Sequence, residues 1–299
     1  MNDFEKKLTS YVEAFNTYAS QSLDVDKFYG RESKGLDRML EAMSYSLENG
    51  GKRVRPVLAL EFCRVCGGKA GDVLPLALAI EMVHTYSLIH DDLPCMDNDD
   101  MRRGKPSNHI AFGYADALLA GDALLTLAFE KIADCALDDE RKIKAILCLS
   151  KAAGCSGMIA GQVMDLQNEE EKANLETVRK TDELKTGEMI KAAAVMGCIA
   201  ADADREKTKA AVTYAKKIGL VFQIIDDILD VTGSEDELGK PIGSDDENAK
   251  STYVSLMGLD DAYTLAENET NEAIASLNIF GDEAAFLKDF ALSLIHRKK

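Results

Sequence analysis

No proline stands between Pro106 and Pro241, and the 299 residues hold only five: Pro56, Pro75, Pro94, Pro106 and Pro241. Proline removes a backbone donor and clashes with the preceding turn, so its scarcity leaves long runs free to coil as helix. Those runs are filled with Ala, Leu, Glu, Lys and Met, which favour a helix interior. The period-two Val/Thr/Ile pattern of strands is nearly absent. The chain is therefore expected to be all-α. Periodicity near 3.6 predicts helices at 3–20, 34–49, 53–66, 72–93, 114–136, 140–154, 156–169, 174–200, 204–230, 260–276 and 281–297, with Gly50-Gly51, Gly67-Gly68, Gly104 and Gly239 between them. No low-complexity linker and no internal repeat divides the chain, so residues 1–299 read as one domain. Hydrophobic residues make up 46%, enough for a sizeable core without disulfides.

The formal net charge of −17 argues against nucleic acid as a partner, because a phosphate backbone needs a basic face. It leaves room for a small phosphorylated substrate in a local basic pocket. The seven cysteines, an odd count scattered through apolar runs, point to free thiols in a reducing cytosol. Cys63 and Cys66 form a lone CxxC with no second pair to complete a zinc site, so they read as thiols on a buried helix. The N-terminal MNDFEKKLTSYVEAF has no apolar signal core. No stretch is expected to reach the ~18 apolar residues of a membrane span. The expectation is a cytoplasmic protein with no stable membrane association.

Two acidic clusters stand out against this background. In LVFQIIDDILDV, Asp226 and Asp230 are four apart and share a helix face, with Asp227 offset by one. Like charges at that spacing destabilise a bare helix, and carboxylates among Ile, Leu, Phe and Val are desolvated. Such a run needs something cationic opposite it. The second cluster lies in HDDLPCMDNDDMRRGKP. Asp91 and Asp92 end an apolar helix, Pro94 blocks its clean continuation, and a bulge or short loop at 93–96 is needed to bring Asp97 back beside Asp91. Asp99 and Asp100 add charge, and Arg102 and Arg103 follow directly. Carboxylates, a turn, then paired guanidinium forks suit a diphosphate bridged by metal. Oxygen-only clusters suit a hard cation, and magnesium takes few carboxylates together with phosphate oxygens and water. Lys52, Arg53 and Arg55 follow a double glycine at a helix start. There cations oppose the helix dipole, so an anion-binding role is expected of them. The irregular stretch 231–251, with Lys240 and Lys250, is either a lid or a solvated surface loop.

With these residues in view, the chain resembles the trans-prenyl diphosphate synthases, and among them the bacterial farnesyl diphosphate synthases. The resemblance is carried by GKRVRP (51–56), EMVHTYSLIHDDLPCMDNDDMRRGKPSNH (81–109), LAGDALLTLAFE (119–130), GQVMDL (161–166), KTGEMI (185–190), FQIIDDILDVTG (222–233) and LGKPIGSDDENAKSTYVSLMGLDDA (238–262). Ala160 stands where many relatives have glycine, and Met101 where leucine is usual. The first fifty residues match only loosely.

The resemblance implies a large helical bundle around a central apolar cavity and head-to-tail condensation of isopentenyl diphosphate with dimethylallyl or geranyl diphosphate. It implies a homodimer and three magnesium ions per site, with manganese as a substitute. Asp91, Asp97 and Asp226 are the implied metal ligands, with Asp92, Asp227 and Asp230 behind them. Lys185, Arg102, Thr186, Gln223 and Lys240 are implied around the allylic diphosphate, with Lys185 and Thr186 also steadying the cation and Gln162 another polar wall residue. Lys52, Arg55, His84 and Arg103 are implied around the isopentenyl diphosphate. Only the resemblance raises His84 above a core histidine, and His90 reads as structural. The tail Arg297-Lys298-Lys299 resembles basic ends that close over the isopentenyl diphosphate; a frayed end is the alternative. Tyr86 and Ser87, five and four residues before Asp91, are expected to set product length, and Pro94-Cys95 in the first cluster accompanies short products in this family. These features favour farnesyl over geranylgeranyl or geranyl diphosphate. A terpene cyclase needs no second diphosphate site, which GKRVRP and RRG provide. A non-catalytic synthase subunit need not retain both acidic clusters.

Overall fold

The computed structural model describes residues 1–23, 34–170, 172–232 and 251–297. They form α1 (Asp3–Ser22), α2 (Lys34–Leu47), α3 (Val54–Val65), α4 (Ala70–Asp91), α5 (Asn108–Phe112), α6 (Tyr114–Ala133), α7 (Asp139–Ala153), α8 (Met158–Glu170), α9 (Leu175–Asp182), α10 (Glu188–Ala200) and α11 (Arg205–Thr232). After the undescribed stretch come α12 (Tyr253–Met257), α13 (Leu259–Ser276) and α14 (Ala285–Ile295). The all-α expectation holds. One two-residue hairpin interrupts it: β1 (Met101–Arg102) pairs with β2 (Lys105–Pro106), Arg102 opposite Lys105. Its turn residues Arg103 and Gly104 both have positive φ, 53° and 75°, the hairpin geometry that glycine eases and arginine does not.

Side-chain caps fix several helix starts. Asn2 and Glu5 form a reciprocal capping box on α1, Asp138 accepts from the Arg141 N–H, and Asn174 accepts from the Thr177 N–H. Helix α4 lies at the centre, packed on α3, α6 and α10, and α10 packs in turn on α3, α7 and α11. Leu76, Leu78, Ile80, Met82 and Val83 of α4 are buried on successive turns all round the helix, as expected of a core helix. Gly197 of α10 allows close approach to α3: a Cβ there would stand 2.4 Å from the Ala59 carbonyl oxygen.

Three sequence expectations need correction. The predicted helix 174–200 is broken in register by a π-helical turn, Glu183–Gly187. The predicted helix 281–297 begins as a 3-10 segment, Leu277–Ala284, with Gly281 at φ 57°. Two helical stretches are, against expectation, long and apolar enough to cross a membrane: Ala70–Asp91, 72% buried in its apolar window, and Asp139–Asn168, which runs from α7 through a turn into α8, 33% buried. The first is the core helix α4. The second owes its hydropathy to an exposed apolar face.

Candidate active site

Helix α4 ends at Asp91, and the chain folds back on itself. The Met96 and Asn98 N–H groups donate to the Leu93 carbonyl, and the Asp97 N–H donates to the Asp91 carbonyl at 2.9 Å. The expected short loop thus brings Asp97 beside Asp91. Burial pushes the Asp91 carboxyl up to about 6; Lys185 opposes this, while Asp97 and Asp92 add to it. Asp92 points inward, 2% exposed, and accepts from Arg102 Nε at 2.8 Å and from Arg102 Nη2, which also reaches Asp99 at 3.1 Å. Arg102 is therefore pinned between two carboxylates of its own loop.

The second cluster rides on α11. Asp230 is buried, and the Asp227 carboxylate accepts from the Tyr253 N–H at 2.8 Å, which ties it to the start of α12. Asp226 is paired with the Arg297 guanidinium. Between the two clusters lies the π-turn. Lys185 Nζ reaches Asp165 Oδ2 of α8 at 2.6 Å, and Thr186 is half-buried beside it. Gly161 makes room for this turn, since a Cβ there would lie 2.2 Å from the Lys185 backbone nitrogen. Asp182, just before the turn, is pushed up to about 7 by burial and by Asp165, with Tyr253, Lys185 and Gln223 pulling it back.

The basic residues before α3 meet the hairpin. Arg103 Nη1 donates to the Gly50 carbonyl at 2.9 Å, and its guanidinium fills the space a Cβ on Gly51 would take, 2.7 Å away. Burial holds the His84 imidazole well below its usual range, helped by Arg55 and Arg103, so it is neutral. Arg55 Nε is buried with no partner. A desolvated guanidinium beside another one, with an orphaned N–H, is a site short of an anion. Lys52 lies over the Phe222 ring at 5.5 Å, facing α11.

Arg53 departs from its two neighbours. It is 4% exposed and bonded to Glu81 at 2.8 Å, Asn16 at 3.1 Å and the Leu47 carbonyl at 2.6 Å. Its positive φ of 49° turns it inward, so it is a core ion pair rather than an anion ligand. His90 is structural as expected: its Nε2 meets the Leu118 carbonyl at 3.0 Å, against Gly121. Of the candidate lid 231–251, Val231 and Thr232 continue α11 and Ser251 is described, while 233–250, with Lys240 and Lys250, lie outside the described residues, as do Lys298 and Lys299. The sequence reading missed Asp165 and Asp182. The clue for Asp165 was an acid in the apolar GQVMDL, and Asp182 offered none beyond its place before KTG.

Among the described residues, no three Asp, Glu, His or Cys side chains converge closely enough to cage a metal ion alone. The donor set still fits a hard cation. Oxygen donors crowd at Asp91 and Asp97, and magnesium completes its shell with phosphate oxygens and water rather than a full protein cage.

The polyprenyl synthetase family profile matches residues 37–285. The farnesyl diphosphate synthase of Micrococcus luteus is 44% identical over 99% of this chain and 99% of its own. The chloroplastic large subunit 1 of a heterodimeric geranylgeranyl pyrophosphate synthase from Arabidopsis thaliana is 46% identical over 86% of this chain and 72% of its own. A solved structure, the geranyltransferase of Legionella pneumophila, superposes with a TM-score of 0.86 at 33% identity, covering 99% of both chains. With one acidic cluster at the end of α4 and another on α11, a cation-rich corner at α3 and these relatives along its length, the chain belongs to the polyprenyl synthetase family.

Proposed function

We propose that the chain is a prenyltransferase that joins isopentenyl diphosphate head to tail to dimethylallyl and geranyl diphosphates, ending at farnesyl diphosphate and releasing pyrophosphate. The observation that carries the reading is the pairing of two unlike sites on one helix. His84 sits in the cationic corner with Arg55 and Arg103, and Asp91, two turns on, sits in the acidic one. The C-terminal part of α4 is thus proposed to meet one anion directly at His84 and another through metal at Asp91. The working unit in this proposal is the whole of 1–299, acting in the cytoplasm. The seven free cysteines accord with that compartment.

Asp91, Asp97 and Asp226 are the proposed holders of divalent metal, magnesium in three copies, with manganese able to replace it. When bound, such ions supply positive charge at the oxygen that leaves with the diphosphate. Asp92, Asp227 and Asp230 are proposed as positioning carboxylates: Asp92 fixes Arg102, and Asp227 fixes α12. Lys185, with Arg102, Thr186, Gln223 and Lys240, is proposed to meet the allylic diphosphate. A fixed cation ~4 Å from the developing charge is worth on the order of 4 kcal/mol at an effective dielectric near 20, before desolvation. Lys52, Arg55, Arg103 and neutral His84 are proposed to hold the isopentenyl diphosphate as donors. A site closed to water is proposed to protect the allylic cation until the double bond reaches it.

A homodimer is part of the proposal. Leu119 (56% exposed), Ile143 (64%) and Leu147 (51%) open an apolar surface on α6 and α7, of the kind that marks an interface.

The test is direct. Purified protein is given radiolabelled isopentenyl diphosphate, geranyl diphosphate and magnesium, and products are separated by length. A labelled C15 product, abolished by chelator, is expected. Cyclised hydrocarbon without isopentenyl incorporation, or growth undiminished by chelator, overturns the reading.

A further inference from the structure

The last described residue does not trail into solvent. Arg297 follows α14 and turns back across α11, with its side chain 8% exposed. Its guanidinium lies 4.2 Å from the centroid of the Phe222 ring, donates to the Phe222 carbonyl at 2.9 Å, and pairs with Asp226 Oδ1. Lys52 shares the same ring from 5.5 Å. Two of the guanidinium nitrogens, Nε and Nη1, are buried with no partner. Arg297 therefore occupies its place half-satisfied, held mainly by one carboxylate and one aromatic face. A contact of that make-up holds while Asp226 needs a counter-charge and yields when a stronger one arrives.

We propose that Arg297 is a positioning residue, a placeholder cation that holds Asp226 in the metal-free chain and must release it when a divalent ion binds there. The inference rests on the reading of Asp226 as a metal ligand. Oδ1 cannot serve a guanidinium N–H and an ion at full strength together, so the two compete. The competition has two consequences. The carboxylate is kept in place before metal arrives, by a cation that already lies on the face of Phe222. Filling the second cluster also frees the guanidinium, already short of partners at Nε and Nη1, beside Lys52. Occupancy of the metal site and position of the chain end are thereby linked, and the linkage is reciprocal: whatever holds Arg297 elsewhere tightens metal binding.

The test is titration of Mn2+ into the full-length, metal-free protein. Free ion is read by its electron paramagnetic resonance signal, so no turnover enters the measurement. Wild type, Arg297→Gln, Arg297→Lys, Asp226→Asn and the Asp226→Asn/Arg297→Gln double variant are compared. Asp226→Asn is expected to remove one class of bound ion. Arg297→Gln is expected to tighten that same class about fivefold, the factor that loss of one partly exposed ion pair allows. Arg297→Lys should fall between, because lysine keeps the charge but not the planar stack. In the double variant the effect of Arg297→Gln should vanish. Equal affinity in wild type and Arg297→Gln, with the class still lost in Asp226→Asn, overturns the placeholder and leaves the metal reading standing. An effect of Arg297→Gln that persists in the double variant also overturns it, since general electrostatics would then be the cause. Unchanged binding in Asp226→Asn overturns the metal reading beneath it.

Discussion

A carboxyl buried beside another carboxyl keeps its proton longer, and Asp182 is such a group, pushed up to about 7 by burial first and Asp165 second. In the unfolded chain it titrates near the ordinary ~3.9. Between those values the folded state binds the extra proton, so stability falls as pH rises from about 4 to 7, by on the order of 2–4 kcal/mol at most. Thermal unfolding of the metal-free protein across that range should show the slope, and Asp182→Asn should reduce it to the share that Asp91, pushed up to about 6, contributes; an unchanged slope means Asp182 does not titrate there. Arg55 calls for a kinetic readout. Its Nε lacks a partner, so Arg55→Ala should leave the fold intact while raising KM for isopentenyl diphosphate about 10- to 100-fold, with KM for geranyl diphosphate little changed. A shift in the allylic KM alone would mean that the two anion sites are reversed. Tyr86 is proposed to set product length. It is 6% exposed and packs edge-on to His90 at 5.6 Å, while Ser87 Oγ donates to the His84 carbonyl at 2.9 Å. At ~1.5 Å per residue the two lie about 7.5 and 6 Å along the helix from Asp91, where a chain growing down α4 would meet them. Tyr86→Ala should lengthen products to C20 or beyond, and Ser87→Phe should shorten them to C10, read by chromatography of the dephosphorylated alcohols. A Tyr86→Ala protein that is less stable yet still stops at C15 would assign the ring to the core alone.

Most helices were legible because a core helix leaves a periodic trace and the chain lacks the prolines to break one. The elements that escaped are short or out of period. Helices α5 and α12 are five residues each, and at the 101–106 hairpin Gly104 marked a break but nothing marked its neighbour Arg103 for positive φ. The π-turn at Glu183–Gly187 escaped for a different reason. One extra residue in a helix leaves composition and apolar content unchanged, yet it rotates everything before it relative to everything after. Lys185 and Thr186 sit in that turn, and it is this turn that brings Lys185 to Asp165. The fit depends on Gly161, whose missing Cβ is space taken by the Lys185 backbone. Gly161→Ala is expected to destabilise the protein by about 1–3 kcal/mol, the usual cost of overpacking. It should also depress kcat more than KM by moving Lys185. Calorimetry and steady-state kinetics check the two parts separately; a stable, fully active Gly161→Ala protein would show that the turn can shift without consequence.

At the scale of the whole molecule, the need for cations near the buried acids was readable and which cations meet them was not. Acids inside LVFQIIDDILDV announce a cation because no soluble helix buries them without one. Nothing local says that the cation at Asp226 comes from Arg297, 71 residues away, or that Arg53 spends its charge on Glu81 while Arg55 is left short. Those are facts of packing between distant helices. The outer surface poses the same problem in reverse: apolar residues that periodicity would place in a core lie open. Leu119 of α6, Ile143 and Leu147 of α7, and Ile159 and Val163 of α8 are each about half exposed or more. Their spacing by four within α7 and α8 keeps each pair on one helix face. This face, rather than a buried core, gives Asp139–Asn168 its membrane-like hydropathy. A second copy of the chain covers such a surface if the proposed homodimer forms, with the same patch on both partners. Ile143→Asp with Leu147→Asp puts four carboxylates into a two-fold contact, where unpaired buried charge is strongly unfavourable. Sedimentation velocity should then show wild type as a dimer and the double variant as a folded monomer with native helicity. Wild type that sediments as a monomer at micromolar concentration rules the dimer out. Wild type that floats with lipid vesicles, while the double variant does not, assigns the face to a bilayer instead.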